Sequence, residues 1–272
     1  MRPFELVVLD LDGTLLDPDR EAPIRPAVRQ AIARVLQLGV GITLASGRTW
    51  EYSRHRIAEL GLNLPVVAGQ GATLAAADGR ILWESRLPAA LGSFLFDEWS
   101  RMQPEFSLYL RHRHSHELAI TLNRISRPWE VYAHLLGPQV QRLDSLLNYQ
   151  EHYEVLKFVV FDEHPQGPQR WQDWAGPEAS VLRTHHLLVE GTAPGVNKGS
   201  GLERLLQHLG IAAERVLAIG DNFNDLPMFR LAGCSVAMGQ APEAVRQAAH
   251  WVAPSFAEDG VAAALEHFLL KG

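Results

Sequence analysis

Three clusters of polar side chains in this 272-residue sequence each follow directly on a short apolar run. The clusters are Asp10–Thr14, Ser46–Arg48 and Gly220–Asp225. Short continuous apolar runs are typical of strands that are buried on both faces of a parallel sheet. Because an open parallel sheet binds its ligands beyond the carboxyl ends of its strands, we expect the three clusters to meet in one crevice.

The carboxylates of Asp10, Asp12 and Asp221 would repel one another if these clusters converge. Two unit charges roughly 4 Å apart repel by about 4 kcal/mol at an effective dielectric constant of ~20. A hard divalent cation relieves this repulsion, and short side chains with oxygen ligands suit Mg²⁺. Since the same cation would neutralise phosphate oxygens, the sequence predicts a magnesium site for phosphoryl chemistry.

Asp10 and Asp12 are two residues apart, which keeps both carboxylates on one side of an extended chain. One ionised carboxylate can then attack phosphorus while the other passes a proton to the leaving alcohol. Gly13 lets the chain turn and exposes backbone N–H groups to an anion. Ser46 can donate a hydrogen bond to phosphate and can cap the helix that we expect from Thr49. These features favour a covalent phosphoryl transfer.

The first and last thirds of the chain alternate strand and helix patterns. The first third predicts strands over Leu6–Leu9, Val40–Ala45 and Pro65–Ala68, helices from Pro26 to Gly39 and over Thr49–Leu60, and a hairpin turn at Asp78-Gly79. The last third predicts strands over Val216–Ile219 and Ser235–Ala237, and helices over Lys198–Leu209, Asn224–Leu231, Pro242–Ala249 and Ala257–Leu270. This alternation predicts an α/β fold with a parallel sheet covered on both faces.

The middle of the chain, residues 85–190, has a different pattern and predicts an inserted α+β domain. The apolar residues Phe106, Leu108, Leu110, Leu118 and Ile120 share one sequence parity. The opposite parity carries mostly polar side chains, namely Ser107, Tyr109, Arg111, Arg113, Glu117 and Thr121. We therefore expect a strand pair with one apolar and one polar face, in a sheet covered by helices on one side only. Further strands are predicted over Val155–Phe161 and Val181–Val189.

Composition excludes several classes of protein. The net charge of −6 lacks the broad basic surface of a nucleic-acid-binding protein, so we expect no nucleic-acid partner. No stretch approaches the ~20 apolar residues of a membrane span, and carboxylates interrupt the N-terminal apolar run of a would-be signal peptide. The one cysteine, Cys234, cannot form an internal disulfide. We therefore expect a cytoplasmic protein that contacts no membrane, as a monomer or a homodimer.

Four segments together resemble the haloacid dehalogenase (HAD) superfamily of hydrolases. Leu9–Leu15 resembles its first motif, Ser46-Gly47-Arg48 the second, Lys198 the third and Gly220–Met228 the fourth. An insert between the second and third motifs, together with Asp259-Gly260-Val261, is similar to the Cof-type sugar-phosphatase branch. The resemblance implies a Rossmann-like catalytic core over residues 1–84 and 191–272, with an α+β cap domain over 85–190 for substrate specificity.

The resemblance also implies a role for each motif residue. Asp10 would be the nucleophile and Asp12 the general acid and base of a phosphatase with a phosphoaspartate intermediate. Asp10 and Asp221 would bind Mg²⁺ by side chain, and Asp12 by its backbone carbonyl. Asp225 would support Lys198 or the metal shell. The phosphoryl group of a small phosphorylated metabolite, a sugar phosphate or a cofactor precursor, would be bound by Leu11, Ser46, Gly47, Lys198 and Asn224. Without the resemblance, Lys198 would be a surface lysine.

Two parts of the sequence leave the substrate open. Gly69-Gln70-Gly71-Ala72 departs from the Asn-Gly-Ala segment that many relatives carry, so any contact from this loop with the substrate is in question. In the insert, the candidates for specificity are Tyr109, Arg111, Arg113 and Lys157. The alternatives to a phosphatase are a phosphomutase on the same fold and a metabolite-binding regulator without catalysis. The intact set of Asp10, Asp12, Lys198 and Asp221 favours the enzyme.

Overall fold

The chain up to residue 84 forms the strands and helices that its apolar patterns indicate. In the computed structural model, which describes residues 3–17 and 22–271, these are β1 (Leu6–Leu9), α1 (Pro26–Gln37), β2 (Gly41–Leu44), α2 (Trp50–Glu59), β3 (Val66–Ala68), β4 (Thr73–Ala75) and β5 (Ile81–Glu84). Helix α1 has Pro26 at its first turn and buries Val28, Ala31, Ile32 and Val35, the predicted apolar face. Strands β3, β4 and β5 form a small antiparallel sheet.

The middle of the chain forms one six-stranded sheet with three α-helices. Its elements are α3 (Ala89–Glu98), β6 (Phe106–His112), β7 (Leu118–Leu122), α4 (Trp129–Leu136), β8 (Val140–Arg142), β9 (Tyr153–Phe161), α5 (Gly167–Ala175), β10 (Ser180–His185) and β11 (Leu188–Thr192). The strand order is β10-β11-β9-β6-β7-β8, and all pairs are antiparallel except β7 with β8.

The last part of the chain completes a parallel sheet that contains β1 and β2. Its elements are α6 (Lys198–Leu209), β12 (Val216–Gly220), α7 (Leu226–Leu231), β13 (Cys234–Ala237), α8 (Glu243–Ala248), β14 (Trp251–Val252) and α9 (Gly260–Leu265), which continues as a π-helical turn, Glu266–Leu270. The strand order is β14-β13-β12-β1-β2. Along β1, Val7 and Leu9 enter one hydrophobic core while Leu6 and Val8 enter another, so this sheet is buried on both faces as expected.

The described residues fall into two compact units. One comprises those up to Glu84 and from Asn197 onward, and the other is Ser85–Val196. The second unit extends to Val196 rather than residue 190, because β11 pairs with β9 and β10 over its whole length. Within the described ranges, no helix is both long and apolar enough to cross a membrane.

The prediction that the β6–β7 strand pair has one apolar and one polar face is wrong. The register pairs Leu108 with Thr121 and Tyr109 with Ile120, so residues of equal parity on the two strands face opposite sides. Phe106, Leu108 and Leu110 enter one core with α3 and α5. On the other face, Tyr109 and Ile120 pack with Tyr132, Leu135 and Leu136 of α4. Helices therefore lie on both faces of this sheet, and the polar face that the parity suggested is largely buried.

The single strand predicted over Val181–Val189 is a hairpin. Strands β10 and β11 pair antiparallel, with Arg183 opposite Val189 and His185 opposite Leu188. His186 and Leu187 form the turn, and the Nδ1 atom of His185 accepts a hydrogen bond from the backbone N–H of Leu187 at 3.2 Å. The sequence lacks a glycine or asparagine here, so the pattern carried no turn signal.

Candidate active site

The predicted polar clusters lie at the carboxyl ends of adjacent strands. Strand β1 lies between β2 and β12 in the parallel sheet. The backbone N–H of Asp10 donates to the carbonyl of Ile219 at 2.9 Å, and the N–H of Ala45 donates to the carbonyl of Leu9 at 2.9 Å. Both hydrogen bonds continue the sheet ladders beyond the last residues of the strands. Asp10, Ser46 and Asp221 therefore start at one edge of the sheet, and this part of the expected convergence is present in the structure.

Lys198 reaches this edge from the first turn of α6. Asn197 caps the helix, because its Oδ1 atom accepts from the N–H groups of Gly199 at 2.9 Å and Ser200 at 3.1 Å. The Lys198 Nζ atom donates to Asp10 Oδ1 at 2.5 Å and to Asp225 Oδ1 at 2.6 Å, and its side chain is fully buried. Lys198 is therefore not a solvent-exposed surface residue.

Asp225 fixes the fourth motif as well as Lys198. Its second oxygen, Oδ2, accepts hydrogen bonds from the N–H groups of Asp221 at 2.8 Å and Asn222 at 2.9 Å. Position 220 must be glycine, because an added Cβ would lie 2.5 Å from the Asp225 carboxyl carbon. The loop after β12 is thus wrapped around this one buried carboxylate, which supports the role expected of Asp225.

Burial and mutual repulsion perturb the ionisation of the cluster. Burial, and then the charges of Asp225 and Asp12, raise the pKa of Asp10 from 3.8 to about 7, although Lys198 opposes this. The pKa of Asp221 is raised well above its ordinary value by burial, then by Asp10 and Asp225. Burial alone would lower the pKa of Lys198, but Asp10 and Asp225 outweigh it and raise the pKa. Lys198 therefore stays cationic, while the carboxylates compete for protons.

The carboxylate set fits a divalent cation. Asp10, Asp221 and Asp225 each offer one oxygen, and these oxygens lie within 4.8 Å of one another. Hard oxygen ligands at this spacing suit Mg²⁺. Both Asp225 oxygens already accept hydrogen bonds, from Lys198 and from backbone N–H groups, so Asp225 is better suited to support the ligands than to be one. Asp10 and Asp221 are then the two side chains available to such a cation, and their role as Mg²⁺ ligands stays a prediction.

Asp12 is held by an arginine that the sequence analysis did not select. The Arg48 Nε atom donates to Asp12 Oδ2 at 2.8 Å and its Nη2 atom to Asp12 Oδ1 at 3.0 Å, a bidentate pair. The Arg48 guanidinium also lies 4.4 Å from the centroid of the Tyr52 ring. Arg48 could have been selected from the sequence, because it belongs to the Ser46-Gly47-Arg48 motif and a cation next to the predicted carboxylates is expected to pair with one of them.

Ser46 and Gly13 lie where they were predicted, but their hydrogen bonds differ from the predicted ones. The N-cap of α2 is Thr49 rather than Ser46, and Ser46 Oγ instead accepts from the Arg48 N–H at 3.0 Å. The Ser46 hydroxyl proton can still be donated to a phosphate. The Gly13 N–H is not open to an anion, because it donates to the Leu16 carbonyl at 2.8 Å. Glycine is needed at 13 for its positive φ and because a Cβ would meet Asp221 at 2.2 Å.

The remaining core candidates surround the same edge. Leu11 is buried, and its carbonyl accepts from the N–H groups of Leu15 at 2.9 Å and Leu16 at 2.8 Å, which closes the turn after Asp10. Asn224 donates from Nδ2 to the Oε1 atom of Gln70 at 3.2 Å. Gln70 Nε2 lies 2.4 Å from the position that a Cβ on Gly47 would occupy. Gln70 therefore contacts two predicted phosphate-binding residues.

Gln240 is a second residue that the sequence analysis missed. Its Nε2 atom donates to the Gly13 carbonyl at 2.6 Å, and its Oε1 atom accepts from the Phe256 N–H at 2.8 Å. It thereby ties the nucleophile loop to the C-terminal segment that contains Asp259-Gly260. No local pattern marks such a side-chain bridge across the fold, so the sequence could not have indicated it.

Within the inserted unit, three of the four specificity candidates are buried. The Lys157 Nζ atom donates to Glu190 at 2.5 Å and lies 4.4 Å from the centroid of the Tyr109 ring. The Tyr109 hydroxyl donates to the Leu136 carbonyl at 3.0 Å, and Arg111 donates to the His116 carbonyl at 2.8 Å. Arg113 is exposed and forms an ion pair with Glu154 at 2.8 Å. Their role in specificity stays a prediction.

Comparison with known proteins gives matches over nearly the whole chain. Residues 7–265 match the haloacid dehalogenase-like hydrolase family. A 5-amino-6-(5-phospho-D-ribitylamino)uracil phosphatase of Bacillus subtilis is 28% identical over 270 residues, which cover 98% of this chain and 96% of the relative. The HMP-PP phosphatase of Cronobacter sakazakii is 29% identical over 250 residues, 90% of this chain and 88% of the relative. The crystal structure of a haloacid dehalogenase-like hydrolase from Bacteroides thetaiotaomicron matches with a TM-score of 0.81 at 26% identity, over 97% and 99% of the two chains. The predicted fold and family are thereby confirmed.

Proposed function

Because the chain belongs to the haloacid dehalogenase-like hydrolase family, we propose that it hydrolyses a small phosphorylated metabolite through a phosphoaspartate at Asp10. It is a phosphoric monoester hydrolase, the class to which the named relatives belong. The observation that carries the residue assignment is the buried Lys198 ammonium, bonded to both Asp10 and Asp225 at the edge where the three clusters meet. A buried cation next to a nucleophilic carboxylate serves a reaction of anionic groups.

The first half of the reaction forms the covalent intermediate. An ionised oxygen of Asp10 attacks phosphorus in line, the new P–O bond forms, and the ester P–O bond to the metabolite breaks. Lys198 neutralises charge on the phosphoryl oxygens, and Ser46 and Asn224 donate hydrogen bonds to them. Asp12 gives its proton to the leaving alkoxide, so the alcohol departs neutral. In this structure Arg48 donates to both oxygens of ionised Asp12, so one of these two contacts must open when Asp12 carries the proton.

The second half releases phosphate and restores the enzyme. Asp12, now ionised, accepts a proton from a water molecule that attacks phosphorus, and the bond between phosphorus and Asp10 breaks. Asp10 and Asp221 would hold Mg²⁺ by side chain and Asp12 by its backbone carbonyl. When bound, the cation supplies charge neutralisation to the phosphoryl oxygens. Asp225 keeps Lys198 in position throughout.

The substrate class follows from the relatives and stays coarse. One relative is named for a phosphoribityl-aminouracil and another for HMP-PP, so a phosphorylated cofactor precursor or a sugar phosphate is the class we propose. We propose that the inserted unit supplies specificity, with exposed Arg113 as the most accessible of its four candidates. A reducing, cytoplasmic location agrees with Cys234 being a free thiol.

The test is phosphate release from a panel of phosphorylated metabolites, with and without Mg²⁺. Wild type is compared with Asp10→Asn and with Asp97→Asn, a matched control at an exposed position of α3. We expect magnesium-dependent release by wild type and the control, and none by Asp10→Asn. Acid quenching during turnover with a substrate carrying ³²P should label wild type and leave Asp10→Asn unlabelled. Isomerised product without free phosphate would indicate a phosphomutase, and full activity of Asp10→Asn would refute the assignment of the nucleophile.

A further inference from the structure

Gln70 has a backbone conformation that side-chain-bearing residues rarely adopt. It lies in the short 3₁₀ turn Gly69–Gly71 with φ 60° and ψ 30°, and it is 1% exposed. The left-handed region costs a residue with a Cβ about 1–2 kcal/mol, and such residues cluster at functional sites. The surrounding structure must therefore hold this residue in place.

The turn is held on both sides by parts of the candidate active site. The Gly69 N–H donates to the Arg48 carbonyl at 2.8 Å, and the Gln70 N–H donates to the Ser46 carbonyl at 3.0 Å. On the other side, a Cβ at Gly71 would lie 2.0 Å from the carbonyl oxygen of Asn197, the N-cap of α6. The turn thus fills the space between the Ser46–Arg48 segment and the helix that carries Lys198.

The side chain of Gln70 joins the second and fourth motifs. Its Oε1 atom accepts the Asn224 Nδ2 hydrogen bond at 3.2 Å. Its Nε2 atom occupies the space beside Gly47 that any other residue at 47 would need for its Cβ. Among the residues that the structure describes, none accepts a hydrogen bond from Nε2. This N–H group is therefore available to a ligand oxygen, at a residue that is only 1% exposed and so meets little competing water.

We propose that Gln70 is a further phosphate-binding residue, whose Nε2 donates to an oxygen of the phosphoryl group while Oε1 holds Asn224 in position for the same group. The proposal rests on the proposed function, because it assigns a ligand to that site. It also explains why the turn tolerates an unfavourable φ, since the left-handed conformation directs this amide towards Gly47. The longer side chain of glutamine, compared with asparagine, gives the amide its reach.

The decisive variant is Gln70→Asn, because asparagine adopts the left-handed region more readily than glutamine. If neither amide atom of Gln70 served the phosphate site, a folded variant of wild-type stability would bind phosphate as wild type does. We expect unchanged or raised thermal stability. We also expect at least a tenfold weaker Kd for inorganic phosphate and at least a tenfold higher KM, because the shorter side chain withdraws the amide from a charged oxygen.

A second variant separates the two functions of the amide. Gln70→Glu keeps the length of the side chain and an oxygen for Asn224, but it places an anion where the donor was. We expect phosphate binding to weaken about a hundredfold or more in this variant, beyond the effect of Gln70→Asn. The matched control is Gln207→Asn, at an exposed position of α6, which should bind phosphate as wild type does.

The measurement is isothermal titration of inorganic phosphate into each protein in the presence of Mg²⁺, with KM from phosphate release as the second readout. Wild-type phosphate affinity in a folded Gln70→Asn or Gln70→Glu variant would overturn the proposal, and so would a wild-type protein that binds no phosphate. If wild type binds phosphate but releases none from any monoester, the proposed function fails while the titration still decides the role of Gln70.

Discussion

The replacement Asp10→Asn should abolish catalysis and, in the absence of metal, stabilise the fold. Folding raises the pKa of Asp10 from 3.8 to about 7. At about 1.4 kcal/mol per pKa unit, an ionised Asp10 costs the folded state about 4 kcal/mol relative to the protonated acid. Asparagine has nearly the same shape and no charge, so it avoids this cost. Lys198 loses one partner in the variant but keeps Asp225 at 2.6 Å.

The sign of the pH dependence follows from linkage. The folded state binds the Asp10 proton more tightly than the unfolded chain, so this contribution is favourable below pH ~4 and is lost as pH rises towards 7. The advantage of Asp10→Asn over wild type should therefore be about 2 kcal/mol at pH 5 and about 4 kcal/mol at pH 8. The assay is urea denaturation in EDTA at both pH values, together with phosphate release in Mg²⁺.

Two results would refute this reasoning separately. A stability difference that does not grow between pH 5 and pH 8 would show that Asp10 does not carry the raised pKa. Residual turnover in the variant above that of a buffer blank would show that Asp10 is not the nucleophile. Magnesium should also stabilise wild type more than the variant, because Asp10→Asn removes one of the two expected side-chain ligands.

Three further predictions concern the metal, the insert and one glycine. Millimolar Mg²⁺ should raise the thermal unfolding midpoint of wild type more at pH 8 than at pH 5, because protons compete for Asp10 and Asp221; an equal shift at both pH values would contradict this. Lys157→Met should destabilise the insert by about 3–5 kcal/mol in urea denaturation, because Glu190 loses its buried partner, and adding Glu190→Gln should restore most of the loss; a change in KM without a stability cost would instead favour a substrate contact. Gly71→Ala should cost more than Gly61→Ala, by about 2 kcal/mol or more, because both have a positive φ but only the Cβ at 71 would collide with backbone; equal costs would show that the contact with Asn197 yields easily.

The parallel core could be predicted from the sequence because its signals are local. Apolar runs such as Leu6–Leu9 lack alternation and are too short for a helix, so they favour a strand covered on both faces. Helix α6 begins at Lys198 and ends at Leu209, as predicted, because Asn197 caps one end and Gly210 takes a left-handed conformation at the other.

The inserted sheet could not be predicted to the same depth because its faces depend on register. The alternation along β6 and β7 predicted the two strands correctly, but it put the wrong residues on the same face of the sheet. The pairing of Tyr109 with Ile120 depends on the connection between the strands, which the alternation does not show. The burial of Lys157 follows from Glu190, which is 33 residues away in the sequence. Pairings of this range leave no local pattern.

The candidate active site divides in the same way. Asp10, Asp12, Asp221 and Lys198 are marked by strand ends and by the family resemblance, whereas the bonds of Gln70 and Gln240 cross between loops. The departure at Gln70 was visible in the sequence. Its meaning required the structure, because neither the left-handed φ of Gln70 nor the position of its amide beside Gly47 can be read from the sequence.

The charges in the crevice make substrate binding depend on the cation. When Asp10, Asp221 and Asp225 are ionised, three carboxylates and one ammonium leave this cluster with two net negative charges, while Arg48 balances Asp12. A phosphate dianion would add two more in a buried site, where such repulsion is large. A divalent cation brings the cluster to neutrality before the substrate arrives. Phosphate binding should accordingly be weak without metal at pH 8 and less dependent on metal near pH 6, where protons partly replace the cation on the carboxylates.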